Sequence, residues 1–194
     1  MTEREVLFTG VGGQGVQIVA KALALAAVAE GRQVLLVPSY SGFMRGGMTN
    51  AGLTVGDGPL RALPVITSAW SAFVMDQAYW ETVRPNLSAG AVVVVNSSLF
   101  RLDVDVREAE VFAVPAMALA ADLGSPMSAG FVLLGAFAAI TGLVGVESVV
   151  GAMRQLVPAY RAQHLAANER AIAAGAASVP ALAAPAWPDR AGVR

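Results

Sequence analysis

Gly10-Val11-Gly12-Gly13-Gln14-Gly15 constrains this chain more than any other stretch, because it lies between an apolar run, Val6 to Thr9, and a helical pattern opening at Val16. A glycine-rich turn from strand to helix lets the backbone approach a ligand closely. The helix N-terminus adds unpaired N–H donors and the positive end of its dipole. Such a corner suits phosphate or pyrophosphate, and Gly10, Gly12 and Gly15 also satisfy the G-x-G-x-x-G spacing of dinucleotide sites. The competing role is structural: a tight turn that lets helix and sheet pack.

The pattern on either side is α/β. Glu5 to Gly10 reads as a buried strand, and Gln14 to Glu30 as a helix with Ile18, Val19, Leu23 and Ala26 at helical spacing, ended by Gly31. Gln33 to Pro38 is a second apolar strand, so the opening predicts a Rossmann-like βαβ unit. Met48 to Val55 alternates as an edge strand would, and Gly56 to Pro59 is a turn. Phe73 to Asp76, Ala91 to Asn96 and Ala109 to Pro115 continue the strands, with a helix at Gln77 to Arg84 carrying Tyr79 and Trp80, and another at Met117 to Leu123. Beyond Met127 the pattern is helical, over 127–142, 146–155 and 158–175. The expected fold is therefore a three-layer α/β/α domain over 1–175 with a mostly parallel sheet and a helical C-terminal part. Residues 176–194, rich in alanine and proline, read as a loose tail.

Composition decides what such a domain does not do. Hydrophobic residues make up 56% of the 194 positions, only 14% are charged and the net charge is −1, so there is no basic surface for nucleic acid. The absence of cysteine rules out disulfides, a thiolate nucleophile and cysteine ligation of an iron–sulfur cluster by this chain, and a lone His164 argues against a zinc site. Met1 to Glu5 lacks a signal-peptide core, giving a cytoplasmic expectation. Pro126 to Val146 carries no charge and is long enough to cross a bilayer, but four glycines interrupt it and no Lys or Arg flanks it, so a buried helix is expected rather than a membrane span.

A conventional NAD site needs an acidic residue at the end of the second strand, and here Pro38-Ser39-Tyr40 stands there. Arg45 leaves a 2′-phosphate, and so NADP, open. The loop itself, Ser39 to Gly47, is the more distinctive feature, with its arginine placed before paired glycines. Gly10 to Gly15, Pro38-Ser39-Tyr40 and Arg45-Gly46-Gly47, in this order and spacing, resemble the gamma subunit, or gamma domain, of the 2-oxoacid:acceptor oxidoreductases, the pyruvate and 2-oxoglutarate ferredoxin enzymes. The resemblance continues through Asp57-x-Pro59, Asp76, Leu133-Leu134-Gly135-Ala136, Thr141-Gly142-Leu143 and Asn168-x-x-Ala171-x-x-x-Gly175. Met44 to Asn50 is nearer the 2-oxoglutarate form. Where the family has Gly-Pro-Glu after the tyrosine this chain has Ser41-Gly42-Phe43, which puts in question the contacts those residues make and the activity of this copy.

The resemblance implies a subunit that contributes the CoA side of an active site while thiamine diphosphate, magnesium and iron–sulfur clusters sit on partner subunits. It implies alpha and beta partners, a ferredoxin-like delta subunit where there is one, and self-association when they are missing. The reaction of the whole is oxidative decarboxylation of a 2-oxoacid to an acyl-CoA, with electrons passed to ferredoxin. The candidate rim comprises Gly10, Gly12, Gly13, Gln14, Gly15, Ser39, Tyr40, Arg45, Gly46, Gly47 and Asn50, with no catalytic and no metal-binding residue in it. Arg45 stands equally as a phosphate contact or as a loop arginine facing solvent or a partner's carboxylate. Gln14 reads first as a turn-stabilising residue and Asp76 as the cap of the helix after it. A stand-alone nucleotide-binding or regulatory protein is the alternative function.

Overall fold

The computed structural model describes residues 1–40, 46–61, 63–101 and 109–187. Six strands form one sheet: β1 (Glu3–Val11), β2 (Gln33–Tyr40), β3 (Met48–Gly56), β4 (Ala69–Val74), β5 (Leu87–Asn96) and β6 (Glu110–Val114), in the order β2-β3-β1-β4-β5-β6. β1, β4, β5 and β6 run parallel, and β3 is antiparallel to both its neighbours. The mixed, mostly parallel α/β architecture is the one expected.

One placement differs from expectation. β3 lies between β2 and β1 rather than at an edge, so β1, α1 (Val16–Ala29) and β2 form a split unit whose two parallel strands never touch. Alternation in β3 suggested a half-exposed strand, but its inner positions Ala51, Leu53 and Val55 are buried and the opposite face carries Gly52 and a buried Thr54. Small or β-branched residues on the second face fit a covered strand. β2 takes the edge instead, where Pro38, without an N–H, is tolerated.

One face of the sheet is covered by α1, α3 (Ala116–Asp122), α4 (Ala129–Thr141), α5 (Val146–Leu156) and α6 (Leu165–Ala177), which share a core with Val6, Phe8, Leu53, Phe73 and Val94. Phe8, Phe73 and Phe137 run through it, with ring centroids 5.2 and 6.0 Å apart. On the other face Trp80, at the start of α2 (Trp80–Val83), is buried against Ala72, Val74, Val93 and Val95, edge-on to Phe100. Trp80 is therefore a core residue. The helix expected over Gln77 to Arg84 is broken up: a 3₁₀ turn over Gln77–Tyr79, the single turn of α2, and a second 3₁₀ turn over Arg84–Asn86.

α4 is the uncharged segment that sequence length left ambiguous. It is 13 residues long, closes on Gly142 in a left-handed conformation, and no helix among the described residues is long and apolar enough to cross a membrane. Phe131, Val132, Leu133, Leu134, Phe137 and Ile140 are buried in it, each worth about 1.5–3 kcal/mol relative to exposure. α6 crosses α4 at Gly135 and Gly175, where a methyl group on either would fall 2.0 Å from the Ile172 carbonyl oxygen or 1.8 Å from that of Val132. α6 is preceded by a 3₁₀ stretch, Ala159–His164, in which His164 is exposed.

The tail is not loose where it is described. Leu182, Ala184 and Ala186 donate N–H groups to the carbonyls of Ala139, Ile140 and Thr141, the last turn of α4, at 2.7, 3.1 and 2.7 Å. Those carbonyls lack intrahelical partners at any helix end. Trp187 Nε1 donates to Leu143 O at 3.0 Å and Arg32 stacks over its indole, 4.0 Å from the ring centre. An alanine-rich segment has few periodic apolar positions to reveal this, because much of the attachment is made by its backbone N–H groups.

Candidate functional site

Ligands of open α/β sheets sit outside the carboxyl ends of the strands, where connections leave for opposite sides. In this sheet that point is between β1 and β4: the chain leaves β1 through α1 toward β2, and leaves β4 through α2 toward β5. The glycine turn stands there.

Its geometry is built from backbone outward. Gln14 N donates to Val11 O at 3.1 Å, closing a tight turn, and Gly15 sits as the N-cap of α1 at φ 82°. With glycine at that position the N-cap residue supplies no side-chain acceptor to α1, which leaves first-turn N–H groups as an anion site requires. Gly13, at φ 106° and exposed, has no described residue within 4 Å of where a Cβ would stand. Gly10 is needed for a different reason: a Cβ there would lie 2.8 Å from Gln14 Oε1 and 2.9 Å from Met75 Cβ.

The second glycine segment meets the first directly. Gly12 N donates to Gly47 O at 2.8 Å, and a Cβ on Gly12 would stand 3.3 Å from that oxygen. Ser39 and Asn50 are drawn in by a residue that sequence reading passed over: Gln17 Nε2 donates to Asn50 O at 2.7 Å and to Ser39 O at 3.4 Å. A polar side chain on the first turn of so apolar a helix was the available signal. The Asn50 side chain itself faces away from α1, accepting from Thr9 Oγ1 at 2.8 Å. Tyr40 ends β2 opposite Thr49. Arg45, and with it Ser41-Gly42-Phe43 and Met44, lies outside the described residues.

Gln14 does hold the turn. Its Oε1 accepts from Val11 N at 2.8 Å and its Nε2 donates to Asp76 Oδ2 at 2.8 Å, while Asp76 Oδ1 caps the following 3₁₀ turn by accepting from Ala78 N at 2.9 Å. Behind them Asn96, fully buried, donates to Met75 O at 3.2 Å. Among the described residues, this carboxyl edge of the sheet is thus a belt of amide and carboxylate side chains beside the backbone N–H groups of the turn. No group of three His, Cys, Asp or Glu side chains able to hold a metal occurs among the described residues.

A family model described as pyruvate ferredoxin/flavodoxin oxidoreductase matches residues 5–178. Subunit PorC of pyruvate synthase from Methanothermobacter thermautotrophicus is 31% identical over 157 residues, 79% of this chain and 85% of that protein. Subunit KorC of 2-oxoglutarate synthase from Methanocaldococcus jannaschii is 28% identical over 161 residues, 80% of this chain and 84% of that protein. The near-equal identities do not sort the chain by substrate. Among solved structures, the gamma subunit of a keto/oxoacid ferredoxin oxidoreductase from Geobacter sulfurreducens PCA superposes with TM-score 0.76 at 26% identity, covering 91% of this chain and 99% of that one. These similarities favour an oxidoreductase subunit over a stand-alone nucleotide-binding protein.

Proposed function

The chain belongs to the pyruvate ferredoxin/flavodoxin oxidoreductase family, and from that premise we propose that it is the gamma subunit of a thiamine-diphosphate-dependent 2-oxoacid:ferredoxin oxidoreductase, a cytoplasmic assembly. The assembled enzyme decarboxylates a 2-oxoacid oxidatively, passes the acyl group to CoA and delivers two electrons to a ferredoxin-type carrier. This chain has no cysteine with which to ligate an iron–sulfur cluster, so the clusters belong to partner subunits, and the family resemblance assigns thiamine diphosphate to alpha and beta partners, with a delta subunit where one occurs.

Its own contribution is the wall on the CoA side. The observation that carries this reading is the Gly12 N–H to Gly47 O bond of 2.8 Å, which continues the β1–β3 ladder past the end of β1 and joins the two glycine segments into one rim beside the crevice between β1 and β4. Backbone N–H groups at the start of α1 supply donors, and Arg45, next to Gly46 in sequence, supplies a point charge for a phosphate. Neither needs to take part in bond making.

Co-expression with alpha and beta subunits followed by affinity purification tests the assignment: a stable complex is expected, and a clean monomer that never recruits them overturns it. Within the complex, Arg45→Ala is expected to raise KM for CoA about tenfold, the scale of one charge-assisted hydrogen bond. An unchanged KM takes the arginine out of the rim.

A further inference from the structure

Asp76 has two oxygens and uses both, on partners with different purposes. Oδ1 accepts from Ala78 N, which is all that a capping residue has to do. Oδ2 reaches across the crevice between β4 and β1 to Gln14 Nε2 at 2.8 Å. Gln14 has an oxygen at one end of its amide and an NH₂ at the other, so this second bond decides which end faces the turn: Oε1 is left to accept from Val11 N.

We propose that Asp76 is a positioning residue for the glycine turn: its carboxylate fixes the Gln14 amide in the one orientation that holds Val11, and so presents the outer N–H groups of the turn to an anion. The inference rests on reading that turn as the CoA-side rim. Two features support an arrangement built for the purpose. Gly10 leaves the space that the folded-back Gln14 occupies, since a Cβ would stand 2.8 Å from its Oε1. Asp76 is itself located by its neighbour Met75, whose N–H donates to Thr9 O at 2.9 Å and whose carbonyl accepts from buried Asn96. The orientation is therefore transmitted from the β4 and β5 ends to the turn after β1.

Asp76→Asn separates the two uses. Asparagine caps as well as aspartate, so Oδ1 can keep Ala78, but its NH₂ then confronts the NH₂ of Gln14. Turning either amide over only moves the conflict to Val11 or Ala78. Combining Asp76→Asn with Gln14→Glu restores every pairing, because the carboxylate introduced at position 14 accepts from both Val11 and the new asparagine amide. In the full chain assembled with its partners, Asp76→Asn is expected to speed amide exchange across residues 11–14 about tenfold and to raise KM for CoA by a similar factor with kcat unchanged. The double variant returns exchange to its original rate.

Unchanged exchange in Asp76→Asn, or failure of the double variant to restore it, overturns the proposal. Exchange that responds as expected, while KM for CoA stays constant in every variant, supports the role of Asp76 and removes CoA from the turn. The two readings thus fail separately.

Discussion

The glycines of the turn and the glycines of the α4–α6 crossing serve opposite needs. At Gly13 no described residue stands where a side chain would go, and what excludes one is a backbone at φ 106°. At Gly135 and Gly175 the backbone conformation is ordinary, and what excludes a side chain is a carbonyl oxygen 2.0 or 1.8 Å from the missing Cβ. The first kind leaves backbone exposed at the surface. The second lets two helices meet backbone to backbone, with nothing left over for a ligand.

The crossing gives the largest expected effect. Gly175→Ala must push α6 off α4, and no rotamer change relieves a contact with the Val132 carbonyl. A loss of about 3 kcal/mol or more is expected, at the upper end of overpacking costs. For a domain of this size that lowers Tm by about 6–12 °C or prevents soluble expression. Thermal unfolding of the purified chain measures it, and a Tm within a degree or two of the parent would mean that the helices can slide apart freely.

Gly13→Ala is the matching change at the turn, and its effect should be smaller in stability but larger in function. The strain of placing alanine at positive φ costs about 1–2 kcal/mol. Because none of the described residues packs against the new methyl group, Tm should fall by only about 2–8 °C. KM for CoA in the assembled enzyme is expected to rise, since relieving the strain turns the local N–H groups. A fall in Tm without a change in KM would move Gly13 into the same class as Gly175.

The two classes were not equally legible in the sequence. Gly10 to Gly15 announced itself because a strand-to-helix turn is local, and its ligand-friendly geometry follows from neighbouring residues alone. Its pairing with Gly46-Gly47 was suggested by order and spacing, and the Gly12–Gly47 bond shows the contact. The interior position of β3 is not legible in its alternation, which tells which face of a strand is buried and not which strands flank it. Asp76 was visible as a cap, but its bond to Gln14 joins residues 62 positions apart, and no local pattern encodes that. The attachment of 182–187 to the end of α4 is hidden for a related reason: carbonyl acceptors at a helix end look the same in every sequence.

Gly151 sharpens the comparison by belonging to neither class. It lies in the interior of α5, its φ is not positive, and a Cβ there would meet nothing within 4 Å among the described residues. Neither backbone strain nor crowding therefore protects it, and the remaining effect of glycine is entropic: the unfolded chain is freer, and the helix is correspondingly weaker. Gly151→Ala is expected to stabilise the chain by about 0.5–1 kcal/mol, raising Tm by about 1–4 °C and leaving KM for CoA where it was. A destabilised Gly151→Ala variant of the isolated chain would show that vacant space around a glycine is a poor guide to its role, and would weaken the same inference at Gly13. A variant stable alone but impaired in recruiting alpha and beta subunits would instead place this side of α5 against a partner, where a single added methyl group is enough to obstruct close packing.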